Sequence, residues 1–186
     1  MDVVWLSEAT MASASLDHHV HVWHLGEANP QRVLSGHSRG VTALACLDEQ
    51  QLLISGGLDA SIRVWNRETW QMERSLTIHT GPVTALEVKP AEAGLPMIAS
   101  ASRDRTIRFW QPTIGRMVRF AKTDRVPLDL AWSVDGTLLA SCDDGSVLCI
   151  DPLSVQVQPE VPGDGAPCFA LAEGPGGTIT RRLLAD

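Results

Sequence analysis

The stretch SGGLDASIRVW, residues 55–65, opens on a serine, reaches an aspartate four positions later and ends on a tryptophan six positions after that. The same skeleton stands in SASLDHHVHVW (13–23) and in SASRDRTIRFW (100–110). The shared residues are Ser13, Asp17 and Trp23; Ser55, Asp59 and Trp65; and Ser100, Asp104 and Trp110. A fourth, weaker copy, SCDDGSVLCI (141–150), reads as one residue shorter, with Ile150 in the tryptophan's place. Counted at that last position, the copies step by 42, 45 and 40 residues.

A repeat of this length whose units read as short alternating strands around an aspartate-bearing hairpin predicts four-stranded antiparallel blades, the units of a β-propeller. In the second unit strands are expected at 41–47, 52–56, 61–65 and 72–77; in the third at 83–88, 97–101, 106–110 and 117–120. No segment carries a helical period with caps, so the fold class is all-β. The expected blades are 2–35, 36–77, 78–120 and 121–158. The Pro- and Gly-rich stretch 159–167 is a loop, followed by strands near 166–172 and 177–183 that make part of a fifth blade.

Ahead of the hairpin a second element recurs, GHSRGVTAL (36–44) and IHTGPVTAL (78–86), which sets His37 and His79 42 residues apart. With this element the chain resembles the WD-repeat propellers. In that family a histidine from the loop leading into the blade, a serine on the second strand, the hairpin aspartate and the tryptophan form a buried hydrogen-bonded tetrad. The resemblance implies the sets His37, Ser55, Asp59, Trp65 and His79, Ser100, Asp104, Trp110, with Ser13, Asp17 and Trp23 as a partial set. The chemistry is sound by itself, because a buried indole needs an acceptor, and a hydroxyl can accept from it and donate onward. The residues after Trp23, Trp65 and Trp110 are His24, Asn66 and Gln111, so the family's second aspartate is missing there. The fourth unit has no Gly-His.

His18, His19 and His21 crowd one hairpin, but they fall in the slots of Ala60, Ser61 and Arg63. They therefore read as the start of a third strand. His19 and His21 share a face, yet no third ligand lies nearby, and no metal or cofactor is expected. The Ser/His/Asp sets are not catalytic triads either: they recur, and each is tied to a tryptophan, whereas a hydrolase needs one exposed nucleophile beside an oxyanion hole. The alternative to a non-enzyme is a hydrolase or lyase on a propeller, or an accessory subunit of an enzyme complex; its candidate groups are Asp124, Arg125 and Asp129.

The 186 residues carry a net charge of −7, which argues against nucleic acid as the main partner. Arg103, Arg105, Arg108, Arg116 and Arg119 cluster in the third unit, but strand alternation splits them between faces. No apolar run reaches membrane-spanning length. Cys46, Cys142, Cys149 and Cys168 lack C-x-x-C spacing and read as thiols of a cytoplasmic protein. Four blades and a half are fewer than such rings usually hold. The reading adopted is an arc of a longer propeller, with completion by another chain or a small closed ring as alternatives. Trp5, Trp132 and Phe169 are the expected cover of the arc's ends. The function expected from the resemblance is a non-catalytic platform for peptide or protein partners. Its rim would present Leu16, Leu58, Arg103 and Asp143 before the hairpin aspartates, with Thr42, Thr84, Leu128 and Arg39 nearer the channel.

Overall fold

The computed structural model describes residues 2–89, 97–174 and 178–183, with the backbone alone at residue 160 and from 169 onward, so that the Phe169 side chain lies outside the described residues. The first sheet holds β1 (Val3–Trp5), β2 (Thr10–Ala14), β3 (His19–His24) and β4 (Arg32–Ser35). The second holds β5 (Val41–Leu47), β6 (Leu52–Gly57), β7 (Ile62–Asn66) and β8 (Met72–Leu76). In the third are β9 (Val83–Lys89), β10 (Met97–Ser102), β11 (Thr106–Gln111) and β12 (Arg116–Lys122). The fourth has β13 (Pro127–Trp132), β14 (Leu138–Cys142), β15 (Val147–Ile150) and β16 (Val157–Val161). Each sheet is an antiparallel meander in chain order, and β17 (Cys168–Gly174) pairs with β18 (Thr178–Leu183) in a two-stranded sheet. Successive sheets stack with β1, β5, β9, β13 and β17 side by side on the inside, and the arc does not close.

Side-chain alternation puts apolar residues on both faces of the middle sheets, and three dry layers result. Between the first and second sheets lie Ala12, Val20, Val22, Leu44, Leu53 and Trp65. Between the second and third lie Ile54, Ile62, Val64, Leu86, Ile98 and Trp110. Ala99, Ile107, Phe109, Leu130, Leu138 and Ile150 fill the next. In the first two layers the tryptophan of the following sheet, Trp65 or Trp110, is the bulkiest buried side chain, whereas in the third the leading sheet supplies it as Phe109. The first sheet shows what the following face looks like uncovered. Val3 pairs with Ser13 as Leu44 pairs with Ser55, yet Val3 is 58% exposed and Leu44 4%. Trp5, two residues on, is 55% exposed. Trp132 is half-buried, with Lys89 Nζ 4.7 Å from its ring centre.

Hydroxyls lock neighbouring inner strands together. Thr42 Oγ1 donates to the Val83 carbonyl at 2.6 Å, and Thr84 Oγ1 donates to the Pro127 carbonyl at 2.7 Å. Leu128 holds that position in the fourth sheet and has no hydroxyl to offer. Each second-to-third-strand hairpin turns on a residue in the left-handed region: His18 (φ 79°), Ala60 (φ 62°), Arg105 (φ 61°) and Gly145 (φ 81°).

Packing between the second and third sheets is tight at Gly56. A Cβ there would stand 2.5 Å from Val83 Cγ1 and 3.0 Å from Val83 Cβ, although Ala14 and Ala101 are accommodated at the same position in the first and third sheets. Gly56→Ala is therefore expected to push the second and third sheets apart and to cost about 1–3 kcal/mol, read as a lowered urea midpoint with an unchanged slope.

Candidate functional site

The second and third sheets carry complete polar networks. Trp65 Nε1 donates to Ser55 Oγ at 2.9 Å; Ser55 Oγ lies 2.8 Å from His37 Nε2; and His37 Nδ1 lies 3.0 Å from Asp59 Oδ1. In the third sheet Trp110 Nε1 donates to Ser100 Oγ at 2.8 Å. His79 Nε2 is 2.8 Å from that oxygen, and His79 Nδ1 is 2.8 Å from Asp104 Oδ2. One proton assignment satisfies every atom: indole N–H to hydroxyl oxygen, hydroxyl O–H to Nε2, and Nδ1–H to carboxylate. Ser55 and Ser100 are 0% exposed, so neither hydroxyl can meet a substrate.

The aspartates are held from several sides. Asp59 also accepts from the Ser38 amide and from the Ser61 hydroxyl, and Asp104 from the Thr80 amide and the Thr106 hydroxyl. Arg63 and Arg108, four residues on, stand 3.9 and 3.7 Å from their carboxylates. Burial pushes both carboxyls up, but these hydrogen bonds outweigh it and bring each down to about 2. Burial also holds the His37 and His79 imidazoles below their ordinary value, although the neighbouring carboxylates pull the other way.

The first sheet has half the network. Trp23 Nε1 donates to Ser13 Oγ at 2.8 Å, but among the described residues no histidine bridges Ser13 to Asp17. His21 takes the place of Arg63 and Arg108, with its Nε2 2.8 Å from Asp17 Oδ2, and His19 Nδ1 lies 3.4 Å from Asp17 Oδ1. Hydrogen bonds from Ser15 first, and from His21 and the His19 amide, hold the Asp17 carboxyl well below the usual range against a small burial effect. The three crowded histidines thus divide between a left-handed turn residue and two partners of one aspartate. Among the described residues no group of three or more His, Cys, Asp or Glu is placed to hold a metal.

The fourth sheet corrects the alignment of the weak repeat. Leu130 pairs with Ala140, as Leu86 pairs with Ser100, so Ala140 and not Ser141 fills the serine's slot. Ala140, Asp144 and Ile150 then keep the four- and six-residue spacing, and the unit is not shortened. Ser141 points to the opposite face, 0% exposed, and its Oγ has no hydrogen-bond partner among the described residues. Alanine and isoleucine dispense with the hydroxyl and the indole together, which removes the need for a histidine. Arg125 instead donates to the Asp144 carboxylate.

Rim candidates separate into two groups. Leu16, Arg39, Arg103 and Asp143 are exposed, and Leu58 is half-buried. A Cβ on Gly40 would meet Leu16 Cδ2 at 2.8 Å and Leu58 Cδ1 at 3.4 Å, so the two leucines flank one glycine at the junction of the first two sheets. Thr42 and Thr84 are half-buried, with their hydroxyls committed to the next strand, and Leu128 is half-buried beside them. Of the channel wall, sequence reasoning named Asp129 and passed over the rest. A cavity of about 510 Å³ is lined by Asp2, Asp48, Glu87 and Asp129 together with Trp5 and Leu44. Burial, with Asp129 and Asp2 adding to it, raises the Glu87 carboxyl to about 7. The signal was a carboxylate set between the apolar residues Leu86 and Val88 of an inner strand. Among the described residues no histidine, lysine or arginine lines this cavity, and burial pushes the Cys46 thiol up to about 12.

Stacked four-stranded antiparallel sheets, two of them tied internally by an indole–hydroxyl–imidazole–carboxylate chain, define a β-propeller of the repeat type. The WD domain, G-beta repeat family model matches residues 28–66, 70–111 and 118–151, and the chain belongs to that family. Each match begins before or within the outer strand of one sheet and ends on or just after the third strand of the next. Coatomer subunit beta' of Rattus norvegicus is 44% identical over 147 residues, which covers 74% of this chain and 15% of the relative. A chain in a crystal structure of the mitotic checkpoint complex superposes with a TM-score of 0.85 at 20% identity, over 98% of this chain and 58% of that one. The chain thus spans less than two thirds of either protein's length.

Two outcomes test the network. Asp59→Ala strands the His37 and Ser61 donors, and is expected to cost about 2–3 kcal/mol by urea denaturation. An unfolded chain protonates its histidines below their ordinary 6.5, whereas the folded sites resist. Stability should therefore fall as pH drops through that value, and the Asp59 and Asp104 contribution, present above 3.8, should be lost as pH approaches about 2. Thermal midpoints between about pH 7.5 and 5.5 should decline in the wild type, and less steeply in the double variant His37→Gln/His79→Gln.

Proposed function

We propose that the chain is a non-catalytic scaffold that holds a peptide or protein partner on the rim formed by the hairpins and the loops leading into each sheet. The observation that carries this reading is the paired-leucine patch around Gly40: Leu16 is 57% exposed at a loop tip that nothing in the core requires to be apolar. Arg39 is exposed next to Gly40, and Arg103 and Asp143 hold the position of the two leucines on the next two sheets, which would continue the rim with charged residues. Thr42, Thr84 and Leu128 would shape the channel mouth from below.

Against catalysis stands the full burial of both network serines. The coatomer and checkpoint neighbours, named for assemblies of several proteins, support a scaffold role. The reading includes a cytoplasmic setting, in keeping with the reduced thiols of Cys46 and Cys142.

The double variant Leu16→Asp/Leu58→Asp should leave the thermal midpoint within a few degrees of wild type. It should weaken binding of a partner identified by cross-linking to the wild-type chain by about tenfold or more in calorimetry. Equal affinity would remove the rim patch from the interface. An uncatalysed partner chemically turned over by the chain would overturn the scaffold reading itself.

A further inference from the structure

The basic residues on the outer strand of the third sheet have no role in the rim. Seven of the chain's 15 lysines and arginines fall between residues 78 and 122, against three of its 22 acidic residues, in a protein of net charge −7. Arg108 is spent on Asp104, but Arg116, Arg119 and Lys122 make no ion pair among the described residues. All three lie exposed on β12, the last strand in its sheet, whose outward N–H and C=O groups face no further strand. Arg119 Nη1 reaches the Pro152 carbonyl at 2.9 Å, which fixes the guanidinium without neutralising it.

Charges on an edge strand commonly guard against unwanted pairing, and the other outer strands show what guarding takes here. β4 has four residues and one arginine. β8 has five, and its Glu73 and Arg74 pair with each other at 2.8 Å. β16 carries Pro159 opposite Leu148, and a proline has no N–H to offer. β12 is the longest of the four and carries the most positive charge. It is seven residues long, has no proline or acidic residue, and exposes Phe120 by 43%. The Arg108 guanidinium braces that ring, 5.6 Å from its centre.

The register sorts these side chains. Arg116 pairs with Gln111 and Arg119 with Phe109, whereas Phe120 pairs with Arg108 on the opposite face. One side of the edge therefore carries Arg116 and Arg119, and the other presents the aromatic ring with Lys122 two residues on. We propose that β12 is a docking edge for an extended acidic segment of a partner protein, which adds as a fifth strand. Alternate residues of that segment are carboxylates beside Arg116 and Arg119, and the residues between them are apolar and lie along Phe120; Lys122 takes a further carboxylate at the strand's end. Main-chain pairing supplies affinity and the alternation supplies selectivity. This surface lies on the outer edge of the sheet, away from the leucine patch, and stands or falls separately from the rim.

The probe is a fluorescein-labelled peptide of alternating glutamate and valine, titrated with the full chain and followed by anisotropy. Saturable binding is expected, weakened about tenfold or more both by the triple variant Arg116→Glu/Arg119→Glu/Lys122→Glu and by N-methylation of alternate peptide amides. The methylated peptide tests strand addition without altering the protein. Absence of saturable binding, or equal binding of the methylated peptide, overturns the proposal. So does tighter binding of a labelled oligothymidylate with a steep salt dependence, which makes the patch a nucleic-acid contact. A peptide-free dimer in light scattering that the triple variant dissolves would assign the edge to a second copy of the chain instead.

Discussion

A tryptophan N–H sealed inside a sheet stack has to find an acceptor, and the second and third sheets are organised around meeting that demand. Ser55 and Ser100 accept from the indole, and each must then place its own proton; the imidazole that takes it must in turn lodge a proton on a carboxylate. The chain of four groups joins the loop ahead of the first strand, the second strand, the hairpin and the third strand. Each bond contributes little by itself, but none can be removed without stranding its neighbours in a dry layer. The recurrent sequence skeleton is the imprint of that dependence.

The fourth sheet supports the same conclusion from the other direction. Once Ile150 replaces the indole, the hydroxyl has nothing to accept and Ala140 suffices, so the histidine disappears as well. The hairpin aspartate alone survives, because Asp144 still accepts from the Ser146 amide and hydroxyl and thereby shapes the turn. Asp17, Asp59, Asp104 and Asp144 thus share a local task, and only two of them also serve the long-range network.

Most of the architecture was legible because serine, aspartate and tryptophan fall at spacings fixed by strand pairing. The fourth unit misled for a physical reason: a serine lies one position from the expected one, and sequence cannot tell which of two adjacent residues points to which face. Cross-strand pairing can, and it chose Ala140. The rim threonines show a second limit. Thr42 and Thr84 lie on inner strands, but a hydroxyl's commitment to a neighbouring strand's carbonyl depends on how the sheets stack, and nothing local announces it. The acidic channel wall was hidden likewise, since Asp2, Glu87 and Asp129 come from three separate sheets.

The family's sequence unit is out of phase with the sheets, running from around the outer strand of one to the third strand of the next. This offset has a genealogical consequence. Copying one unit in tandem lengthens the stack by a whole sheet wherever the duplication begins, because every copy donates an outer strand backward and receives one from the copy ahead. Growth and shrinkage of the array therefore never leave a half-built sheet in its middle, only at its extremities. Such a scaffold can change its number of sheets in single steps while each intermediate keeps its interior dry.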